Sequence, residues 1–147
     1  MNPVSPAWED AHRTPIQMRY SDTDMMGHIN NAAYAQFLEI ARIEYLDALL
    51  PPALRPAAVV LARLELNYRR EVRLGQQVEV LTRPLHLGNS SWSYAFQILA
   101  DAQLSADGSS VQVNLDPLTH LPLPLPAALR ERLSAALAQQ AAKEMQP

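Results

Sequence analysis

From Asn31 the apolar residues Tyr34, Phe37, Leu38, Ala41, Tyr45, Leu46 and Leu49 recur every three or four positions, with Gln36, Glu39 and Arg42 between them. That spacing predicts one long amphipathic helix, with Asn30 or Asn31 as its N-cap and Pro51 and Pro52 as its stop. Elsewhere the period is two. Ile16, Met18 and Tyr20 alternate with Gln17 and Arg19 as a short strand would, after a loose lead-in over residues 1–13. Val60, Ala62, Leu64, Leu66 and Tyr68 alternate with polar residues from Arg63 to Arg69, the pattern of a strand with one buried face. Val78, Val80 and Leu85 mark another strand after a turn at Gly75. Trp92, Tyr94, Phe96 and Ile98 mark the next, with Gly88 and Asn89 as the hairpin between them. An Asp107–Gly108 turn leads to a last strand with Val111, Val113 and Leu115 inward. Leu121–Pro126 reads as an extended segment, and Leu129, Leu133 and Leu137 define a final helix within 126–147.

The order is strand, long helix, then four strands able to pair with their sequence neighbours. One helix must cover the sheet, so an α+β fold is expected: a five-stranded antiparallel sheet wrapped around the long helix, plus a C-terminal helix. The two sheet edges invite pairing with a second copy, and a homo-oligomer is expected. A chain of 147 residues, 48 % apolar, suits a single domain with one core. Its net charge of −3 leaves no basic footprint for nucleic acid, so an anionic ligand must be met by local arginines. The absence of cysteine excludes disulfides and thiolate chemistry. The first residues carry no basic-then-apolar leader, and the longest apolar run, Ala57–Ala62, is too short for a bilayer; a cytoplasmic protein without a membrane partner is expected.

The candidate chemistry lies in Arg19–Arg42, where acids, a histidine, a glycine and two asparagines precede the helix. Free N–H groups and the positive end of the helix dipole converge at such a start and stabilise negative charge. Asp24 is the carboxylate placed to act there. Both Asp22 and Asp24 could equally serve as turn-formers bonded to their own backbone. Gly27 supplies backbone freedom or close ligand access, while His28, Asn30 and Asn31 could each be caps or polar contacts. A calcium loop fails, because a count from Asp22 puts Met26 and Ala33 at positions that require oxygen ligands. A metal site on Asp22, Asp24 and His28 lacks a second histidine. No GxSxG, Walker or GxGxxG pattern occurs, and no cofactor is expected.

The block YSDTDMMGHINNAAYAQFLEIAR resembles the signature of the hotdog-fold acyl-CoA thioesterases, the 4-hydroxybenzoyl-CoA thioesterase-like and fatty-acyl thioesterase group; ARLELNYRREVRLGQQVEV and LGNSSWSYAFQI follow in the same order. The resemblance implies hydrolysis of an acyl-CoA to a carboxylic acid and free CoA. Asp24 would act as nucleophile or general base, with Gly27, His28, Asn30 and Asn31 completing the catalytic loop and N–H groups near Asn31 and Ala32 holding the oxyanion. Glu39 and Arg42 match an ExAR element of supporting or interface residues. The resemblance also implies a dimer or tetramer with active sites between protomers. Arg63, Arg69, Arg70, Arg73, Ser90 and Ser91 are candidates for CoA, and Tyr34, Phe37, Met25 and Met26 for the acyl chain. Each could instead be an ordinary solvated or core residue. A hotdog enoyl-CoA hydratase and a non-catalytic domain binding acyl-CoA or acyl carrier protein are the alternatives.

Overall fold

Asn30 opens the central helix α1, Asn31–Leu49, by accepting the Ala32 N–H on its side chain at 3.0 Å. In the computed structural model, which describes residues 6–145, α1 is followed by β2 (Val59–Tyr68), β3 (Val78–Leu87), β4 (Ser91–Ala100), β5 (Gln103–Asn114) and α2 (Ala127–Glu144). One strand, β1 (His12–Ile16), precedes it. The five strands form one antiparallel sheet in the order β1-β3-β4-β5-β2. Ala33, Tyr34, Phe37, Leu38, Ala41 and Tyr45 of α1 pack on Trp92, Tyr94, Phe96 and Ile98 of β4, and Leu129 and Leu133 of α2 join the same core. This is the hotdog arrangement: a curved sheet around one helix.

Several expectations need correction. β1 starts within the supposed lead-in and ends at Ile16, before Met18 and Tyr20; its inward residues are Thr14 and Ile16, and the polar threonine hides the alternation. β2 does not pair with β3. It crosses to β5, with Val59 opposite Asn114 and Tyr68 opposite Ala106, and so becomes an edge strand. Its apolar face is accordingly not buried: Val59, Val60, Leu61 and Tyr68 are exposed, and only Leu64 and Leu66 reach the core.

Asp107 and Gly108 lie inside β5, and the real turn into it is Asp101–Ala102, both with positive φ (49° and 64°). Gly108 answers a packing demand, because a Cβ there would lie 1.9 Å from the Glu65 carbonyl oxygen of β2. On β5 beyond Gly108 the buried side chains are Ser110, Gln112 and Asn114, with Val111 and Val113 only half-buried. These polar groups are paired: Ser110 Oγ donates to Gln112 Oε1, Gln112 Nε2 to the Trp92 carbonyl at 3.2 Å, and Asn114 Nδ2 to the Pro124 carbonyl at 3.0 Å.

Candidate active site

The turn before α1 is built around the Asp24 carboxylate. Its Oδ1 accepts the N–H groups of Met26 at 2.8 Å and His28 at 3.1 Å, and the Asp24 N–H donates to the His28 carbonyl at 2.7 Å. Gly27 closes the turn with φ +76°; nothing lies within 4 Å of a Cβ built there, so its requirement is conformational. The loop is stapled to the segment after β2, because Ile29 donates to the Val72 carbonyl at 2.7 Å and Leu74 to that of Gly27 at 3.3 Å. That stapling carries Glu71 to the His28 ring, with Nε2 3.3 Å from the carboxylate.

Asp22 has a different role. It is 5 % exposed and accepts the Arg19 backbone N–H and guanidinium at 2.9 Å each, while the Arg19 guanidinium also reaches Gln36 of α1 at 3.1 Å. Burial acts to raise the Asp22 carboxyl, but the Arg19 side-chain and backbone hydrogen bonds and the Arg19 charge outweigh it and hold the group below its ordinary value. Its carbonyl accepts the Asn30 N–H at 2.7 Å, so the ion pair fixes the approach to the helix.

Asp24, His28, Asn31, Tyr34, Arg69 and Arg70 line one open cleft of about 310 Å³. Of the two carboxylate oxygens of Asp24, Oδ2 has no partner among the described residues, whereas Oδ1 is occupied by the loop. At the helix start the Ala32 N–H is taken by the Asn30 cap and the Ala33 N–H by the Asn30 carbonyl at 2.9 Å. Of the donors expected for an oxyanion, Ala32 is therefore committed, and Asn31 retains a backbone N–H without an acceptor among the described residues. Tyr34 is buried edge-on against Tyr68 at 5.0 Å between ring centres, and burial raises its phenol above the ordinary value. The Tyr68 hydroxyl donates to the Asn31 carbonyl at 3.2 Å, tying β2 to the helix start.

The CoA candidates divide. Arg69 is held by both oxygens of Asp107 at 3.2 Å, while Arg70 makes no side-chain ion pair among the described residues. Arg63, Arg73, Ser90 and Ser91 do not line this cleft. Arg73 stands 3.8 Å from Glu71, Arg63 3.6 Å from Glu65, and the Gly88–Ser91 hairpin is clamped to α2 by Arg130 donating to the Gly88 carbonyl at 2.6 Å. Gly27 and Asn30 shape the loop without lining the cleft, and Met25 and Met26 project from it, fully or largely exposed. Glu71 and Tyr68 are cleft residues that the sequence reading did not single out. The only signal for either was the adjoining run of arginines, which drew attention to charge of the opposite sign.

Fold and sequence together define a thioesterase of the hotdog class. The chain belongs to the Thioesterase-like superfamily, whose model matches residues 18–133. It is 30 % identical to the long-chain acyl-CoA thioesterase FadM of Escherichia coli K12 over 82 % of this chain and 96 % of that protein. A thioesterase of Thermus thermophilus, solved with coenzyme A and Zn, is 36 % identical and superposes with a TM-score of 0.76 over 86 % of this chain and 93 % of that one. The DHNA-CoA thioesterase of Staphylococcus aureus is 25 % identical, with a TM-score of 0.81 over 88 % and 93 %. No helix among the described residues is long and apolar enough to cross a membrane.

Proposed function

We propose that this chain hydrolyses acyl-CoA thioesters, with Asp24 acting through Oδ2 as nucleophile on the thioester carbonyl or as general base towards water. The observation that carries this reading is the division of labour within one carboxylate. Oδ1 is anchored by two backbone N–H groups, which fixes the side chain, and Oδ2 is left without a partner among the described residues on a carboxylate that lines the cleft. The Asn31 N–H, at the positive end of the helix dipole, is the donor for the oxyanion, a contribution of about 3–4 kcal/mol in comparable acyl-transfer sites. His28, steadied by Glu71, orients the thioester or the attacking water, and Arg70 is the cleft cation suited to a CoA phosphate. The acyl-CoA names carried by the relatives support the substrate class.

The unpaired β2 edge, with Val59, Val60 and Leu61 exposed, supports a homo-oligomer built on that strand. The test is release of free thiol from short, medium, long and aromatic acyl-CoAs. Release from at least one class is expected, and binding without release from any would overturn the hydrolase reading.

A further inference from the structure

When a tetrahedral thioester adduct collapses, an electron pair moves onto sulfur, and in this cleft a departing thiolate would meet carboxylates. Asp24 and Glu71 both line it, and one of its two arginines, Arg69, is already held by Asp107. Departure as a neutral thiol avoids that repulsion but requires a proton donor. An alkyl thiol also keeps its proton at neutral pH, as cysteine does with a value of about 8.5.

Few groups in the cleft can supply that proton. Burial raises the Tyr34 phenol above its ordinary value, so it holds its proton tightly. The Tyr68 hydroxyl is spent on the Asn31 carbonyl at 3.2 Å. The guanidinium groups of Arg69 and Arg70 do not release protons, and Asp24 is the group that accepts one. His28 remains, and imidazole is the side chain among these that gives and takes a proton near neutrality.

The main chain of His28 is fixed on two sides. It exchanges hydrogen bonds with Asp24, and it forms a bridge with Arg73 in the segment after β2. Its side chain is 22 % exposed, with Nε2 3.3 Å from the Glu71 carboxylate. That contact takes an N–H on Nε2. Nδ1 is left without a partner among the described residues, and it carries a proton only when the ring is an imidazolium. The charges around the ring are Glu71, Arg73 at 3.8 Å from the same carboxylate, and Asp24, Arg69 and Arg70 of the cleft.

We propose that His28 is the acid that protonates the departing sulfur, through Nδ1, and that Glu71 is the positioning residue that holds the ring for this transfer. The assignment rests on the hydrolase reading above and completes its proton inventory. Water adds to the carbonyl carbon while Asp24 Oδ2 takes one of its protons and the carbonyl π pair moves to oxygen. When that pair returns, the C–S bond breaks, its electrons go to sulfur, and the Nδ1 proton follows. The acid product keeps the oxygen of the water and its second proton. Asp24 ends one proton richer and His28 one poorer, and exchange with solvent resets both. Where Asp24 attacks as nucleophile, the same proton reaches sulfur as the acyl anhydride forms.

The test varies the leaving group. One acyl group, that of the acyl-CoA hydrolysed fastest, is presented on N-acetylcysteamine, an alkyl thiol, and on thionitrobenzoate, an acidic aryl thiol that departs as its anion. His28→Gln should lower kcat on the alkyl thioester and the acyl-CoA by roughly a hundredfold or more, and on the aryl thioester by no more than about threefold. Glu71→Gln should show the same split with a smaller loss. Asp24→Asn should slow all three esters alike, because attack precedes every departure. Should His28→Gln fail to fold, Glu71→Gln, at an exposed position, still measures the split. Equal losses on alkyl and aryl thioesters in folded His28→Gln, or no loss on either, would overturn the proposal and leave the hydrolase reading in place. Full rate of Glu71→Gln on the alkyl thioester would overturn the part given to Glu71. A wild-type protein that releases thiol from none of the three esters would overturn the hydrolase reading itself, and this assignment with it.

Discussion

Asp24 holds His28 by its main chain: Oδ1 accepts the His28 N–H at 3.1 Å, while the His28 ring lies against Glu71 at 3.3 Å. The two residues are placed by one loop, yet no hydrogen bond joins their side chains. Asp24 takes part of its orientation from the His28 main chain, but the His28 ring is held by Glu71 and not by Asp24.

An Asp24→Asn protein should keep its fold, because the amide oxygen can still accept the Met26 and His28 N–H groups, and should lose the reactive Oδ2. Thiol release is expected to fall by roughly a hundredfold or more, in the range of a lost general base, with the unfolding midpoint unchanged. Full turnover would remove Asp24 from the mechanism.

The Asp22–Arg19 pair predicts an acid limit to stability. Asp22 titrates lower in the folded chain than its unfolded value of about 3.9, so the unfolded state binds more protons in that region. The stabilisation is therefore present above about pH 4 and lost as pH falls through the lower folded value. Asp116, held down chiefly by the N–H groups of Thr119 and Leu118, adds a contribution of the same sign. Urea midpoints measured from pH 7 to 3 should fall below about pH 4, and Asp22→Asn should be less stable at pH 7 with a shallower acid slope. An equally steep slope in the variant would place the effect elsewhere.

Gly108→Ala should open the β2–β5 seam, since its methyl group would meet the Glu65 carbonyl at 1.9 Å and only backbone movement can relieve it. A loss of about 1–3 kcal/mol is expected, the range for overpacking, with amide exchange of β2 accelerated more than that of β3 or β4. Wild-type stability would mean that the strands part more easily than their close approach implies.

A lysine on the free edge should separate protomers. Val60→Lys places a charge on an exposed β2 residue without touching the core or the Asp24 cleft. Light scattering should show a smaller assembly than wild type. An unchanged mass would exclude β2 as the contact.

Which parts of this architecture were legible follows from what each residue signals. The α1 and β4 patterns were plain because Phe37, Leu38, Tyr94 and Ile98 bury apolar side chains at regular intervals. The β5 pattern misled, since beyond Gly108 its buried residues are polar and its half-buried valines alternate with them. Asp107–Gly108 looked like a turn because glycine serves both turns and close strand crossings, whereas Asp101–Ala102 does turn and carries an alanine that gives no such cue. The candidate loop could be read from Asp24 to Asn31 as a contiguous run. Glu71 could not, because it arrives through main-chain pairing of Ile29 with Val72, a tertiary event without a local pattern.

The crossing of β2 to β5 also orders events in time. Val59 finds its partner at Asn114, and the other side of β2 meets no strand among the described residues. On a ribosome adding roughly 5–20 residues per second, β2 would wait several seconds after its synthesis for β5 to be made. During that interval Val59, Val60 and Leu61 have no sheet to join. Closing so long a loop is slow as well as late. The strand proposed to join protomers is thus the last to find its place within one, and the nascent chain needs protection there most.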